Sequence, residues 1–194
     1  MKRIEALRAT VALTAEVPVV ATCAATSREL AAVADRPNHF YLLDAMGLTT
    51  SVGTGLALAC EGTAVSKVVT IDGDGSLLMN LGALATAGYL LPKPLVVLLL
   101  DNGTYASTAD IPTQAQRLDL GRIAEACDLE VLRADSVDSL RASLAKALES
   151  DGPMLIHTRI EPGNTSGIPL LLEDPVVLGA RFRQWLVPRL SAVD

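Results

Sequence analysis

Short apolar runs alternate with amphipathic stretches along this chain. Val17–Thr22, Phe40–Leu43, Lys67–Ile71, Leu95–Leu100, Glu130–Arg133 and Met154–Thr158 are strand-like. Leu95–Leu100 is apolar throughout, the pattern of a strand buried on both faces. Between the strands, apolar positions recur at helical spacing. Ile4, Leu7, Val11 and Ala15 mark a helix over Lys2–Glu16. Further helices are expected over Ser27–Asp35 with Ser27 as N-cap, and over Leu48–Cys60, Leu77–Leu90, Leu120–Cys127, Ser136–Glu149 and Val176–Leu186. Asp101–Leu118 is polar and aperiodic and is expected to be a functional loop. Glu161–Pro169 is rich in turn residues. Strands alternating with helices predict an α/β fold with a doubly wound, mostly parallel sheet flanked by helices. The expected organisation is one domain over residues 1–194, with a core near 18–160 and a tail over 161–194.

Candidate chemistry is concentrated between Val68 and Tyr105. A strand runs into Asp72-Gly-Asp-Gly-Ser76, and the next apolar strand runs into Asp101-Asn-Gly-Thr-Tyr105. Parallel strands joined by a helix end at one edge of a sheet, so both turns are expected to open on one crevice. A carboxylate (Asp74) and an amide oxygen (Asn102) there suit a hard divalent cation, and the adjoining N–H groups suit phosphate oxygens. Gly73-Asp-Gly-Ser-Leu-Leu lacks the third glycine of a dinucleotide fingerprint, which disfavours a Rossmann reading.

Composition narrows the class. Half of the 194 residues are hydrophobic but only 3% are aromatic, so the core must be built from Leu, Val and Ala. A chain of this length buries about 70% of its unfolded surface. Either a large ordinary core or surface hidden against a partner accounts for the apolar excess. The net charge of −6 argues against nucleic acid or an anionic membrane as the main partner. Cys23, Cys60 and Cys127 have no metal-ligand spacing and cannot all pair within one chain. A reducing, cytoplasmic setting is expected, with no signal-peptide pattern. Leu95–Leu100 is too short to cross a bilayer.

Gly73-Asp-Gly-Ser76 with Asn102 after the next strand resembles the cofactor motif of thiamine-diphosphate enzymes. Three further segments extend the likeness: Thr26-Ser-Arg-Glu-Leu30; Phe40-Tyr-Leu-Leu-Asp-Ala-Met-Gly47 with Gly53 to Ala59; and Asp101–Thr108 with Pro112-Thr113. These resemble the diphosphate-binding domain of the phosphonopyruvate and sulfopyruvate decarboxylases over roughly residues 18–160.

The resemblance implies roles residue by residue. Asp74, the Asn102 side chain and the Thr104 carbonyl would ligate Mg²⁺. Gly73, Gly75, Ser76, Thr26 and Ser27 would approach the diphosphate of thiamine diphosphate. Met46 would prop the bent cofactor, the Asp44 carbonyl would accept from its aminopyrimidine, and Tyr105 would complete the cofactor set. The activating Glu of such enzymes sits on a pyrimidine-binding half, which implies a separate α subunit as partner and an active site between chains.

The implied activity is that of a carboxy-lyase, working only with that partner. It would decarboxylate a small anionic 2-oxo acid, sulfopyruvate or phosphonopyruvate, to the aldehyde and CO₂. The alternatives are an acetohydroxyacid-synthase-like carboligase half and a non-catalytic phosphate- or nucleotide-binding module. Tyr105-Ala106 stand where a phosphonopyruvate enzyme is expected to carry His-Glu, which turns the reading toward sulfopyruvate. The partner, Arg28 and the Thr104–Thr113 loop are candidates for holding the remote anion; Lys67, Lys93, His39 and His157 carry no assigned role.

Overall fold

The computed structural model describes residues 1–191; the last three residues of the expected tail lie outside that range. The first half of the chain runs α1 (Arg3–Leu13), β1 (Val19–Ala21), α2 (Ala25–Ala34), β2 (His39–Tyr41), α3 (Thr49–Cys60), β3 (Val68–Gly73), α4 (Asp74–Leu78), α5 (Gly82–Leu90) and β4 (Leu95–Asp101). The second half runs β5 (Thr104–Tyr105), β6 (Ile111–Pro112), α6 (Leu120–Ala126), β7 (Glu130–Ala134), α7 (Val137–Glu149), β8 (Met154–Arg159) and α8 (Pro175–Leu186). Six strands form one parallel sheet in the order β2-β1-β3-β4-β8-β7, and β5 and β6 form a separate antiparallel hairpin.

Both faces of the sheet are covered, and the strands alternate between them. Val69, Ile71, Val96, Leu98, Leu100 and Ile156 face one apolar cluster with α1 and α7. Val68, Leu95, Val97, Leu99 and Leu155 face the other, with α3, α5 and α6. Every residue of β4 is buried, as its unbroken apolar run predicts. Each such Leu or Val contributes about 1.5–3 kcal/mol on burial. The right-handed rule for parallel connections explains the layering. Steps β1→β2 and β7→β8 move one way across the sheet and carry α2 and α7. The opposite steps, from β2 to β3, β3 to β4 and β4 to β7, carry α3, α4–α5 and α6.

The structure departs from the sequence pattern at four places. Leu77–Leu90 is two helices, not one. The backbone turns at Met79–Leu81, where Asn80 spends its side chain on the Gly47 carbonyl (2.9 Å). α4 starts at Asp74, directly after β3, so no loop separates strand from helix. The Asp101–Leu118 segment is ordered as a hairpin and a 3₁₀ turn over Gln114–Gln116. Ser27 is not an N-cap: α2 begins at Ala25, and its N-cap position is Ala24, with φ +60°.

The segment after β8 folds back on the domain. Phe182 of α8 packs against Phe40 of β2 (centroids 5.2 Å apart), and Arg181 pairs with Asp35 at 2.6 Å. Leu170 and Leu172 stay exposed. No described helix is long and apolar enough to cross a membrane, and all three cysteines are free thiols.

Candidate functional site

The connections leaving β1 and β3 cross to opposite faces of the sheet, which leaves a crevice at their C-terminal ends. Ala21 pairs with Ile71, and Gly73 with Leu100. Three chain turns therefore meet at one edge: Thr22–Thr26 after β1, Gly73–Ser76 after β3, and Asn102–Tyr105 after β4.

Asp74 is the chemical centre of that crevice. Its residue is 2% exposed, yet no basic side chain among the described residues pairs with it. The Thr113 hydroxyl donates to Oδ2 at 2.5 Å, and the Asn102 N–H points at Oδ1 from 3.4 Å. Burial pushes the Asp74 carboxyl above the usual carboxylate range; the Thr113 hydrogen bond opposes this, and the neighbouring Asp101 charge adds to it. A buried carboxylate lacking a cation is costly, and a bound cation offsets that cost.

The donors around Asp74 are all oxygens. The Asn102 Oδ1 accepts the Thr104 N–H at 3.0 Å and keeps a further lone pair. The Thr104 hydroxyl oxygen is buried and has no partner. No three His, Cys, Asp or Glu side chains converge among the described residues. One carboxylate, one amide oxygen and backbone carbonyls suit a hard cation that takes its remaining oxygens from a ligand or water.

Next to this group lies an open cradle. A Cβ on Gly73 would meet nothing within 4 Å, so the space above it is open. A Cβ on Gly75 would sit 2.5 Å from the Tyr105 ring, so the ring rests on the bare backbone of Gly75. Ser76 is buried; its Oγ accepts from the Thr22 hydroxyl (3.1 Å) and the Gly47 N–H (3.0 Å). That bond holds the Met46–Gly47 turn against α4. Met46 is consequently no core filler: it is 38% exposed and lines the crevice. Ala24, with its φ of +60°, also lines it; a positive φ on a residue with a Cβ is strain of the kind found at binding sites.

Asp74, Asn102, Thr104, Gly73, Gly75, Ser76, Thr26, Met46 and Tyr105 are thus brought to one crevice. Ser27 and Asp44 are not on its wall; both line a neighbouring depression with Arg28. The Ser27 hydroxyl donates to the Thr22 carbonyl (2.6 Å), because the early start of α2 turns it inward. Lys67 sits at the opposite edge of the sheet, donating to the carbonyls of Lys93 and Ser150.

Sequence reasoning did not anticipate three contacts at this edge. Thr113 reaches Asp74 only because the hairpin folds back. Asp72, 1% exposed, accepts from Thr50 (3.0 Å), and burial raises its carboxyl. Arg3, from the start of the chain, also lines the crevice. Asp72 and Thr113 stand in the quoted motifs, but neither their contacts nor the place of Arg3 has a local sequence signal.

Comparisons with known proteins agree with this geometry. Residues 21–158 match the family model of the thiamine pyrophosphate enzyme, C-terminal TPP binding domain. The chain is 39% identical over 183 residues to the sulfopyruvate decarboxylase subunit beta of Methanothermobacter thermautotrophicus, covering 94% of each chain. It is 42% identical over 179 residues to the phosphonopyruvate decarboxylase of Streptomyces viridochromogenes, covering 90% of this chain but only 44% of that protein. In structure it resembles a Mycobacterium smegmatis chain described as a thiamin diphosphate-dependent enzyme, with TM-score 0.72 and 26% identity. That match covers 84% of this chain and 32% of the other.

Proposed function

The chain belongs to the thiamine pyrophosphate enzymes through their C-terminal cofactor-binding domain, and on that premise we propose that it is the diphosphate-binding subunit of a two-chain sulfopyruvate decarboxylase. The observation that carries this reading is the buried Asp74, with no basic side chain beside it among the described residues, next to Asn102, Thr104 and the open Gly73–Gly75 cradle. The co-extensive match to a β subunit supports it further.

In this reading Asp74, the Asn102 side-chain oxygen and the Thr104 carbonyl hold Mg²⁺, which the buried carboxylate attracts and charge-compensates. The backbone at Gly73–Ser76 and the Thr26 hydroxyl bind diphosphate oxygens, and the start of α2 adds its N–H groups. Met46 and the Tyr105 ring shape the apolar wall and exclude water from the reacting end. Thiamine diphosphate, when bound, supplies the electron sink for loss of CO₂ from a 2-oxo acid.

Asp74 is the one carboxylate among the described residues on the crevice wall, and it is committed to the cation. The Glu that the cofactor's aminopyrimidine requires is therefore assigned to an α subunit. The surface supports such a partner. From Met46 to Cys60 and from Gly75 to Leu91 there is no Asp, Glu, Lys or Arg. These stretches expose Leu48, Met79 (60%) and Tyr89 (87%), besides Met46 in the crevice. Exposed apolar patches of this kind mark protein interfaces.

Calorimetric titration of thiamine diphosphate into the chain, alone and with the candidate α subunit encoded beside it, tests the reading. Mg²⁺-dependent binding, tighter in the pair and abolished by chelation, is the expected result. Binding indifferent to Mg²⁺, or none in either sample, would overturn it.

A further inference from the structure

The crevice wall carries a single cationic side chain among the described residues, and it comes from an unexpected place. Arg3 lies in the first turn of α1, far from every motif in sequence. It is only 7% exposed. Its Nη1 donates to Glu29 Oε1 of α2 (3.1 Å) and to Asn164 Oδ1 of the loop after β8 (3.1 Å). Glu29 is 2% exposed and also accepts the Thr165 N–H at 3.0 Å. The guanidinium is therefore fixed by three separate segments of the chain. Both hydrogen bonds use Nη1, so Nε and Nη2 keep their donors among the described residues, and neither nitrogen is sealed from solvent.

We propose that Arg3 is the specificity-determining residue of this chain, binding the tetrahedral oxyanion on C3 of the substrate, a sulfonate or a phosphonate. The proposal rests on the 2-oxo-acid reading above and deepens it. A guanidinium with Nε and Nη2 unengaged among the described residues keeps a planar donor pair that matches two oxygens of such a group. Glu29 and Asn164 fix the side chain before the ligand arrives, so little rotamer freedom is lost on binding.

The rival cations named from the sequence of this chain lie elsewhere. Arg28 opens on the neighbouring depression, and Lys67 and Lys93 lie at the far edge of the sheet. Asn164 ties the same assembly to the Ala106 carbonyl at the hairpin (3.4 Å), which places Arg3 beside Ala106–Thr108 at the mouth of the crevice.

Arg3 also staples α1 to α2, and truncating it alone strands Glu29 as a buried charge. The test therefore uses two variants in the full complex: Arg3→Lys, and Arg3→Met with Glu29→Gln, which removes both charges together. KM is measured with sulfopyruvate, with phosphonopyruvate and with 2-oxobutanoate, which lacks the second anion. Thiamine diphosphate affinity and thermal melting are measured beside it, and binding of 3-sulfopropanoate is followed by calorimetry as an activity-free readout.

The expected result for the double variant is a KM raised about 10- to 100-fold for the better of the two anionic substrates, the range of a lost charge-assisted contact. Loss of 3-sulfopropanoate binding should accompany it, with cofactor affinity unchanged and 2-oxobutanoate turnover unaffected. Arg3→Lys should fall between, because it keeps the charge and loses the planar pair. Which anion suffers more identifies the substrate. A matching fall in cofactor affinity would place Arg3 on the diphosphate and overturn the proposal. So would unaltered KM and 3-sulfopropanoate binding, which would leave Arg3 a staple. Failure of the unaltered complex to bind cofactor would sink the underlying reading instead.

Discussion

Two gaps open at the same edge of the sheet, and they have different contents. Beyond β1 and β3, Asp74 is buried with no basic side chain beside it among the described residues, Gly73 leaves open space, and Ala24 holds a positive φ. Beyond β4 and β8, the buried Asp101 carboxylate has partners among the described residues, and the exposed charges at the rim pair as well. Asp101 Oδ2 is 2.7 Å from His157 Nε2 and 3.2 Å from Arg159 Nη1, and Arg133 pairs with Asp119 at 3.0 Å. The winding of the chain opens gaps, but it does not decide which of them binds something. Missing partners and missing side-chain volume decide that. The closed gap also serves the open one. The other carboxylate oxygen of Asp101 accepts the Gly103 N–H at 3.1 Å and so sets the loop that carries Asn102 and Thr104.

The widest separation between the gaps should come from the same change made in each. Asp74→Ala removes a buried carboxylate that has hydrogen-bond donors but no basic side chain beside it among the described residues, so thermal melting should hold or rise while Mg²⁺-dependent cofactor affinity falls about 100-fold or more. Asp101→Ala strips the partner from buried His157 and should cost roughly 3 kcal/mol of stability, read as a clear drop in melting temperature. Equal melting for the two variants would erase the distinction.

The glycines sharpen it at a smaller scale. Gly75→Ala drives a methyl into the Tyr105 ring, an overpacking of about 1–3 kcal/mol that should weaken cofactor binding roughly tenfold by calorimetry. Gly73→Ala meets no protein atom, so its melting curve should match the parent. Weaker cofactor binding by this variant would show that ligand fills the space; normal binding would move the diphosphate elsewhere.

The smallest effect tests burial away from both gaps. His39 is fully buried, and burial lowers its pKa from the ordinary 6.5 to about 4. Below pH 6.5 the unfolded chain takes up a proton that the folded chain refuses. Stability should therefore fall as pH drops from 6.5 toward 4, by at most about 1.4 kcal/mol per pH unit from this group. His39→Phe removes this term. Its melting temperature should decline less between pH 7 and 5 than that of the parent; identical slopes would reject the assignment.

The strands, the layers and the paired motifs were legible because they are local or periodic. Leu95–Leu100 could only be a strand buried on both faces, and the oxygen ligands follow their strands directly. The helix break at Asn80 was hidden because its cause, the Gly47 carbonyl, lies 33 residues earlier in the chain. The hairpin was hidden because residues 101–118 are polar and short of period. Ser27 was read from a motif, which carries a residue's place in the chain but not the direction of its side chain.

The sequence by itself determined the alternation of elements, the parallel sheet and the oxygen-rich turns at one edge, since short-range periodicity and turn chemistry specify these. Only the tertiary structure decided that Asp74 stands on the crevice wall with no basic side chain beside it among the described residues. It alone brought Thr113 onto Asp74, and Arg3, Glu29 and Asn164 together at the mouth of the crevice. Burial, charge pairing and free volume are properties of contacts between distant residues, and no local pattern encodes them.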